Sequence, residues 1–166
     1  MRSKYKLSLM CAVAGASFHG GAIAQDDALA GGYDDEIVVT ATKVETSLQE
    51  TPIAITAVTS ETLAVRGLTT TADLGKIVPN ADFQKAQGIY GPAVTVFLRG
   101  IGQHDPQLNG EPAAAFYIDD VYYPHLFGSQ FDLLDLDHVE VLRGPQGTLF
   151  GRNAIAGAVN LVSKKP

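Results

Sequence analysis

Arg99, Arg143 and Arg152 each sit beside a glycine, as Arg99-Gly100, Arg143-Gly144 and Gly151-Arg152. Glycine lets a backbone turn sharply or approach another surface closely. A guanidinium held at such a point can fork onto a carboxylate through two parallel hydrogen bonds. Left exposed on a surface, the same side chains would each contribute little. The other residues with chemical potential form no reactive constellation. His104, His125 and His138 lack the H-x3-H or HExxH spacing of metal ligands. Asp132, Asp135 and Asp137 lack the glycine and terminal glutamate of a calcium loop, and are expected on a solvated helix face. Asp119-Asp120 suits a two-residue turn better than a catalytic carboxylate pair. The glycine-rich run 144–151 lacks the Gly-Lys-Ser/Thr that would seat a phosphate, and is expected to reverse the chain between two strands. The sequence holds no Ser-His-Asp or Cys-His arrangement. No enzymatic activity, metal or cofactor is expected.

The elements that must position these residues are short. Residues 52–59 alternate, with Ile53, Ile55, Ala57 and Thr59 on one face of an expected half-buried strand. Ser60 offers an N-cap, residues 61–66 permit a helix, and Gly67 supplies a left-handed stop. Thr71 is expected to cap a second helix over 72–78, ended by Pro79. Val94, Val96 and Leu98 alternate in a strand over 93–99, and 100–113 reads as a loop. Residues 114–118 and 121–123 bracket Asp119-Asp120 as a hairpin. Residues 132–137 read as a short helix or 3₁₀ turn, and 138–143 and 157–162 as strands. About six strand-like runs and two capped helices point to an α+β domain: a small mixed β-sheet with short helices and long loops.

Composition sets further bounds. Arg2, Lys4 and Lys6, the uncharged run Leu7 to Phe18, and Ala22-Ile23-Ala24 form a secretory signal peptide over 1–24, with Gln25 next. Residues 25–166 carry 9 basic and 18 acidic side chains, a net charge of −9, which argues against nucleic acid as a partner. Cys11 is the sole cysteine and falls in the signal, so no disulfide is expected. After the signal no apolar run approaches the ~20 residues of a transmembrane helix. The strand pattern is too short and too interrupted for a small transmembrane barrel.

Four stretches then resemble, in order, the plug domain of TonB-dependent outer-membrane receptors of Gram-negative bacteria. They are EIVVTA (36–41), TPIAITAVTSETL (51–63), FLRGIG (97–102) followed by AFYIDDVYY (115–123), and VEVLRGPQGTLFGRNAIAGAVNLVSKKP (139–166). The resemblance implies a signal peptide at 1–24, a flexible leader over 25–48 that carries the TonB box, and a plug over 49–166. In the box, Glu36, Ile37, Val38, Val39, Thr40 and Ala41 would bind the periplasmic C-terminal domain of TonB by β-augmentation, with Ile37 and Val39 on one face. Taken by their residue types alone, the same residues read as an edge strand of the domain itself. The resemblance further implies that Arg99, Arg143 and Arg152 pair with acidic residues on the inner wall of a β-barrel of about 22 strands, normally in the same chain. Gln103, Tyr122, Tyr123 and Phe127 would face a small-molecule or chelate substrate, with buried packing as the alternative. The implied function is gating of energy-coupled uptake of a ferric siderophore, haem, cobalamin or carbohydrate at the outer membrane. Lys164-Lys165-Pro166 falls where the first barrel strand is expected. The alternative reading is a truncated or free periplasmic module that engages TonB without transport.

Overall fold

A computed structural model describes residues 37–88, 91–106 and 109–165. The expected signal peptide (1–24), the leader over 25–35 and Glu36 lie outside the described residues. In chain order the elements are β1 (Val38–Val39), β2 (Thr46–Ser47), β3 (Ile55–Thr59), α1 (Ser60–Arg66), a 3₁₀ helix (Thr71–Lys76), β4 (Ala81–Gly88), β5 (Gly91–Leu98), β6 (Ile101–Gly102), β7 (Ala114–Ile118), β8 (Val121–Tyr123), β9 (Leu136–Arg143), α2 (Gly147–Phe150) and β10 (Gly157–Ser163).

A five-stranded mixed sheet, ordered β3-β9-β10-β7-β8, carries the architecture. β10 runs parallel to β7 and antiparallel to β9. A parallel pair needs a long crossover, and here β8, the following loop, β9 and α2 supply it. Alternation divides the side chains between two faces. On one face Val58, Phe116, Val139, Val141, Val159 and Leu161 join a main core. α1, the 3₁₀ helix and the antiparallel sheet β4-β5-β6 cover that face with Leu63, Leu74, Phe83, Val94, Val96 and Leu98. On the other face Ala115, Leu142 and Ala158 join Tyr117 and Phe150 in a smaller core, closed by Val39 and Ala41. The strand expected to be half-buried is therefore packed on both sides: Val58 enters the main core, while Ile55 and Ala57 pack on the second.

Local signals explain the boundaries. Thr59, one residue earlier than expected, caps α1 by accepting the Thr62 amide at 3.3 Å, and Gly67 ends the helix at φ 62°. Thr70 rather than Thr71 precedes the 3₁₀ helix, and its amide and hydroxyl both donate to the Asp73 carboxylate (3.0 and 2.9 Å). Lys76 at 2.6 Å, aided by Thr70 and Thr69 against some loss of hydration, holds that carboxyl well below its ordinary range. The Asp119-Asp120 turn forms as expected. Both residues have positive φ, the conformation a two-residue hairpin of matching twist requires. The expected helix over 132–137 does not form. The Leu133 amide donates to Thr69 O at 2.8 Å, Asp132 bridges Thr70, and Asp135 has φ 52°. Tertiary pairing and the burial of Leu133 and Leu136 override the local helical pattern there. β4 was hidden in the sequence because Phe83 is its one large buried apolar side chain among Asp82, Gln84 and Lys85.

Candidate functional site

Arg99 and Arg143 end neighbouring parts of the fold and meet at one turn. Arg99 follows β5 with φ 53°, and its amide donates to Asn80 O at 2.8 Å. Arg143 closes β9, and its Nη1 donates to Pro79 O at 3.1 Å. Gly144 lies between them at φ 108°. A Cβ at that position would stand 2.9 Å from Arg99 Nη1, so the glycine lets the guanidinium lie against the chain. Arg143 Nε is buried without a hydrogen-bond partner, and among the described residues neither arginine pairs with a carboxylate. Arg152 is elsewhere. It pairs with Glu111, both side chains being more than half exposed, and such a pair contributes little to stability. The three arginines thus divide into a converging pair and a separate one.

A cleft of about 570 Å³ lies beside Arg152, lined by Glu111, Tyr117, Tyr122, His125 and Asn153 among others. Tyr122 accepts from Asn153 Nδ2 at 2.6 Å. Tyr117 donates to Phe150 O at 2.8 Å, and burial, with Tyr122 and Asp120 nearby, pushes its hydroxyl pKa up. Of the four residues expected to face substrate, Tyr122 lines this cleft. Tyr123 turns inward: its hydroxyl donates to Phe127 O at 3.1 Å and its ring meets Phe131 edge-on at 5.1 Å. Phe127 bridges Ala93 through its backbone and stacks on His125 at 5.5 Å. Gln103 does not line the cleft; its Nε2 donates to Asp105 O at 2.8 Å.

The segment expected on a flexible leader is packed where the structure describes it. β1 pairs antiparallel with β2 through Val38–Ser47 and Val39–Thr46. Ile37 and Val39 share a face, as the alternation implied; that face turns inward and includes Ala41, and Val39 and Ala41 are fully buried against the second core. Val38, on the other face, is 46% exposed. Lys43 turns back at φ 62°, pairs with Asp120 at 2.6 Å and lies over the rings of Tyr117 and Phe150 at 4.7 and 4.5 Å.

Beneath Thr40 is a buried polar group that sequence reasoning missed. Glu140 is 0% exposed and sits mid-strand, in a cross-sheet row Ala57–Glu140–Asn160–Tyr117–Tyr122. Its Oε1 accepts from the Thr40 amide (2.5 Å) and hydroxyl (3.1 Å) and lies 3.0 Å from His138 Nε2. His138 Nδ1 lies 2.7 Å from Asp137, so both ring nitrogens face carboxylates. The Glu140 hydrogen bond outweighs burial, and with Asp137 it raises the His138 pKa. Burial opposes charge on Glu140, yet His138 and Thr40 together hold its carboxyl below the ordinary range. Asn160 Nδ2 donates to Thr40 Oγ1 at 3.3 Å. The available signal was alternation: in His138-Val-Glu-Val-Leu142 a glutamate shares the inward face with Leu142.

The model of the TonB-dependent Receptor Plug Domain family matches residues 47–158. The chain belongs to this family. The plug is 32% identical to the pesticin receptor of Yersinia pestis over 135 residues, which is 80% of this chain and 19% of that protein. It is 28% identical to the ferrichrome outer membrane transporter/phage receptor of Escherichia coli K12, over 76% of this chain and 16% of that one. In fold, it matches the crystal structure of the ferric yersiniabactin uptake receptor FyuA from Yersinia pestis with a TM-score of 0.60 and 31% identity, over 69% of this chain and 17% of that one. The chain thus spans less than a fifth of the length of these relatives. They are receptors and transporters, not enzymes. The mixed sheet, the few short helices and the lack of a closed barrel among the described residues agree with a plug.

Proposed function

We propose that this plug closes the lumen of an outer-membrane barrel and gates energy-coupled uptake of a small-molecule or chelated substrate. Ferric siderophores, haem, cobalamin and carbohydrates are the candidate classes. The wall is a barrel of about 22 strands, and the energy reaches the plug through TonB. Residues 1–24 export the chain. It resides in the outer membrane within a full receptor, and in the periplasm if it is made alone.

The carrying observation is the convergence of Arg99 and Arg143 on the Pro79–Asn80 turn within the matched family span. A buried, unpartnered Arg143 Nε asks for an acceptor. Two guanidinium groups with no carboxylate partner among the described residues suit acidic side chains on an opposing wall. Arg152, already paired with Glu111, is the weaker wall contact. Tyr122, in the cleft with His125 and Asn153, offers a mixed aromatic and polar lining of the kind small ligands use.

Residues 36–41 are the strand that TonB takes. β1 is held in a two-stranded sheet by only two residue pairs with β2, a short ladder that a partner strand could replace. Calorimetric titration of the purified chain with the C-terminal domain of TonB tests this. Ile37→Pro or Val39→Pro is expected to abolish binding, because proline removes a ladder donor. Ile37→Pro is the cleaner variant, since inside the plug Ile37 uses its carbonyl, accepting from the Leu48 amide at 2.9 Å. Unchanged affinity in both variants would refute the assignment of the box.

A further inference from the structure

The box segment has a specific fastener. Its apolar hold is modest: among the described residues Val39 and Ala41 are its fully buried side chains, and its ladder with β2 is two residue pairs long. Most of its polar attachment runs through Thr40, whose amide and hydroxyl both end on Glu140. We propose that Glu140 is the docking acceptor of the box, and that loss of its negative charge frees the segment from the sheet. The inference rests, for its meaning, on the reading of 36–41 as the strand TonB takes; its test does not.

The geometry suits a fastener that opens and closes. A fully buried carboxylate stripped of its donors would be costly. Here His138 lies on the same strand as Glu140, so the two stay together when Thr40 departs. Asp137 holds the far side of the His138 ring. From β3 the register partner of Glu140 is Ala57, which is uncharged, and from β10 it is Asn160. Asn160 adds a weaker bond to Thr40. Beyond them, a cleft of about 520 Å³ lined by both Thr40 and Asn160 opens beside the fastener and gives water a route to it. The charged groups around that cleft are Lys43, Glu45, Asp119, Asp120, Lys164 and Lys165. Lys43 pairs with Asp120 and Lys165 with Glu45, and Asp119 accepts from the Ser163 amide and hydroxyl. A proton arriving from solvent on Glu140 removes the charge that the Thr40 donors bind, and the docked state weakens.

Amide-exchange protection factors, measured by NMR on the purified chain, test this at Val38–Ala41. In the unaltered chain these amides are expected to exchange by a local opening that low urea does not affect, with protection well below that of Val141 and Val159. Thr40→Val is expected to lower their protection about tenfold, and Thr40→Ser to restore it to within about twofold. Protection in the unaltered chain is expected to fall on acidification through the Glu140 titration, and Glu140→Gln to abolish that dependence. If Thr40→Val leaves protection unchanged, or if these amides exchange only through urea-sensitive global unfolding, the proposal is overturned. Failure of the TonB reading would appear separately, as absence of binding with this exchange pattern intact.

Discussion

Replacing Glu140 by alanine probes the centre of the second sheet face. The carboxylate is 0% exposed and satisfies three donors on two residues: the Thr40 amide, the Thr40 hydroxyl and His138 Nε2. Removing one partner of a buried ion pair costs about 3–5 kcal/mol, because the remaining charge stays uncompensated. The upper end is not reached here. His138 keeps Asp137 at 2.7 Å, and Thr40 lines a cleft that water can enter. A loss of about 3 kcal/mol follows. With a urea slope of about 1.5 kcal/mol per molar, that lowers the unfolding midpoint by about 2 M. Equilibrium urea unfolding of the purified chain at neutral pH, followed by far-ultraviolet circular dichroism, measures it. Glu140→Gln keeps the shape and one acceptor and is expected to lose about half as much. The double variant His138→Leu/Glu140→Leu removes both charges and is expected to recover part of the loss, leaving the orphaned Thr40 donors as the residue of the effect. A midpoint shift below about 0.5 M for Glu140→Ala would mean that the carboxylate is effectively hydrated, and the argument from burial would fall.

Two further outcomes follow from the same structure. Glu140 has a lowered native pKa, so its stabilisation is complete above the ordinary carboxyl value of 4.5 and is lost as pH falls through the lowered one. His138 has a raised native pKa, so its stabilisation is complete below the ordinary 6.5 and is lost as pH rises through the raised one. Urea midpoints are therefore expected to peak between those ordinary values and to fall on both sides; a midpoint that climbs steadily to pH 9 would contradict the pairing. Gly157→Ala would place a Cβ 2.0 Å from the Leu142 carbonyl at φ 148°, and is expected to cost about 3 kcal/mol by urea unfolding. Gly147→Ala, in α2 with nothing within 4 Å, is expected to be neutral or to gain about 0.5 kcal/mol, and equal losses at the two sites would refute the steric account.

Where sequence signals were local, they were readable. The hairpin 114–123 was marked by two β-prone runs around Asp119-Asp120, and the structure closes it there with both aspartates at positive φ. Gly67 marked the end of α1, and Val94, Val96 and Leu98 marked the buried face of β5. Signals that depend on distant partners misled. Residues 132–137 carry a helical pattern, but Asp132 and Leu133 pair with residues 69–70, Asp135 O accepts from the Lys164 amide, and Leu136 pairs with β10. β4 depends on its hairpin partner β5 along its whole length and shows little apolar period of its own.

The candidate site divides along the same line. The three arginines each lie beside a glycine, as Arg66 also does, and which of them meet is a property of the fold. Arg99 and Arg143 are 44 residues apart in sequence and converge because β5 and β9 end at the same turn, whereas Arg152 lies beyond α2 and finds Glu111. The box shows the converse. Its β-branched run and the shared face of Ile37 and Val39 were legible; that this face turns inward with Ala41, and which group accepts from Thr40, were not. Glu140 lies 100 positions away and, by itself, looks like an ordinary polar residue on a half-exposed strand. It is buried because β9 is central in the sheet, with β3 and β10 on either side, and because residues 37–48 cover the face it occupies. The same topology decides its role. A carboxylate on an edge strand would meet water and hold nothing, whereas at the centre of a covered face it must be matched. The match comes from a histidine two residues along its own strand and from a threonine in the segment that covers that face.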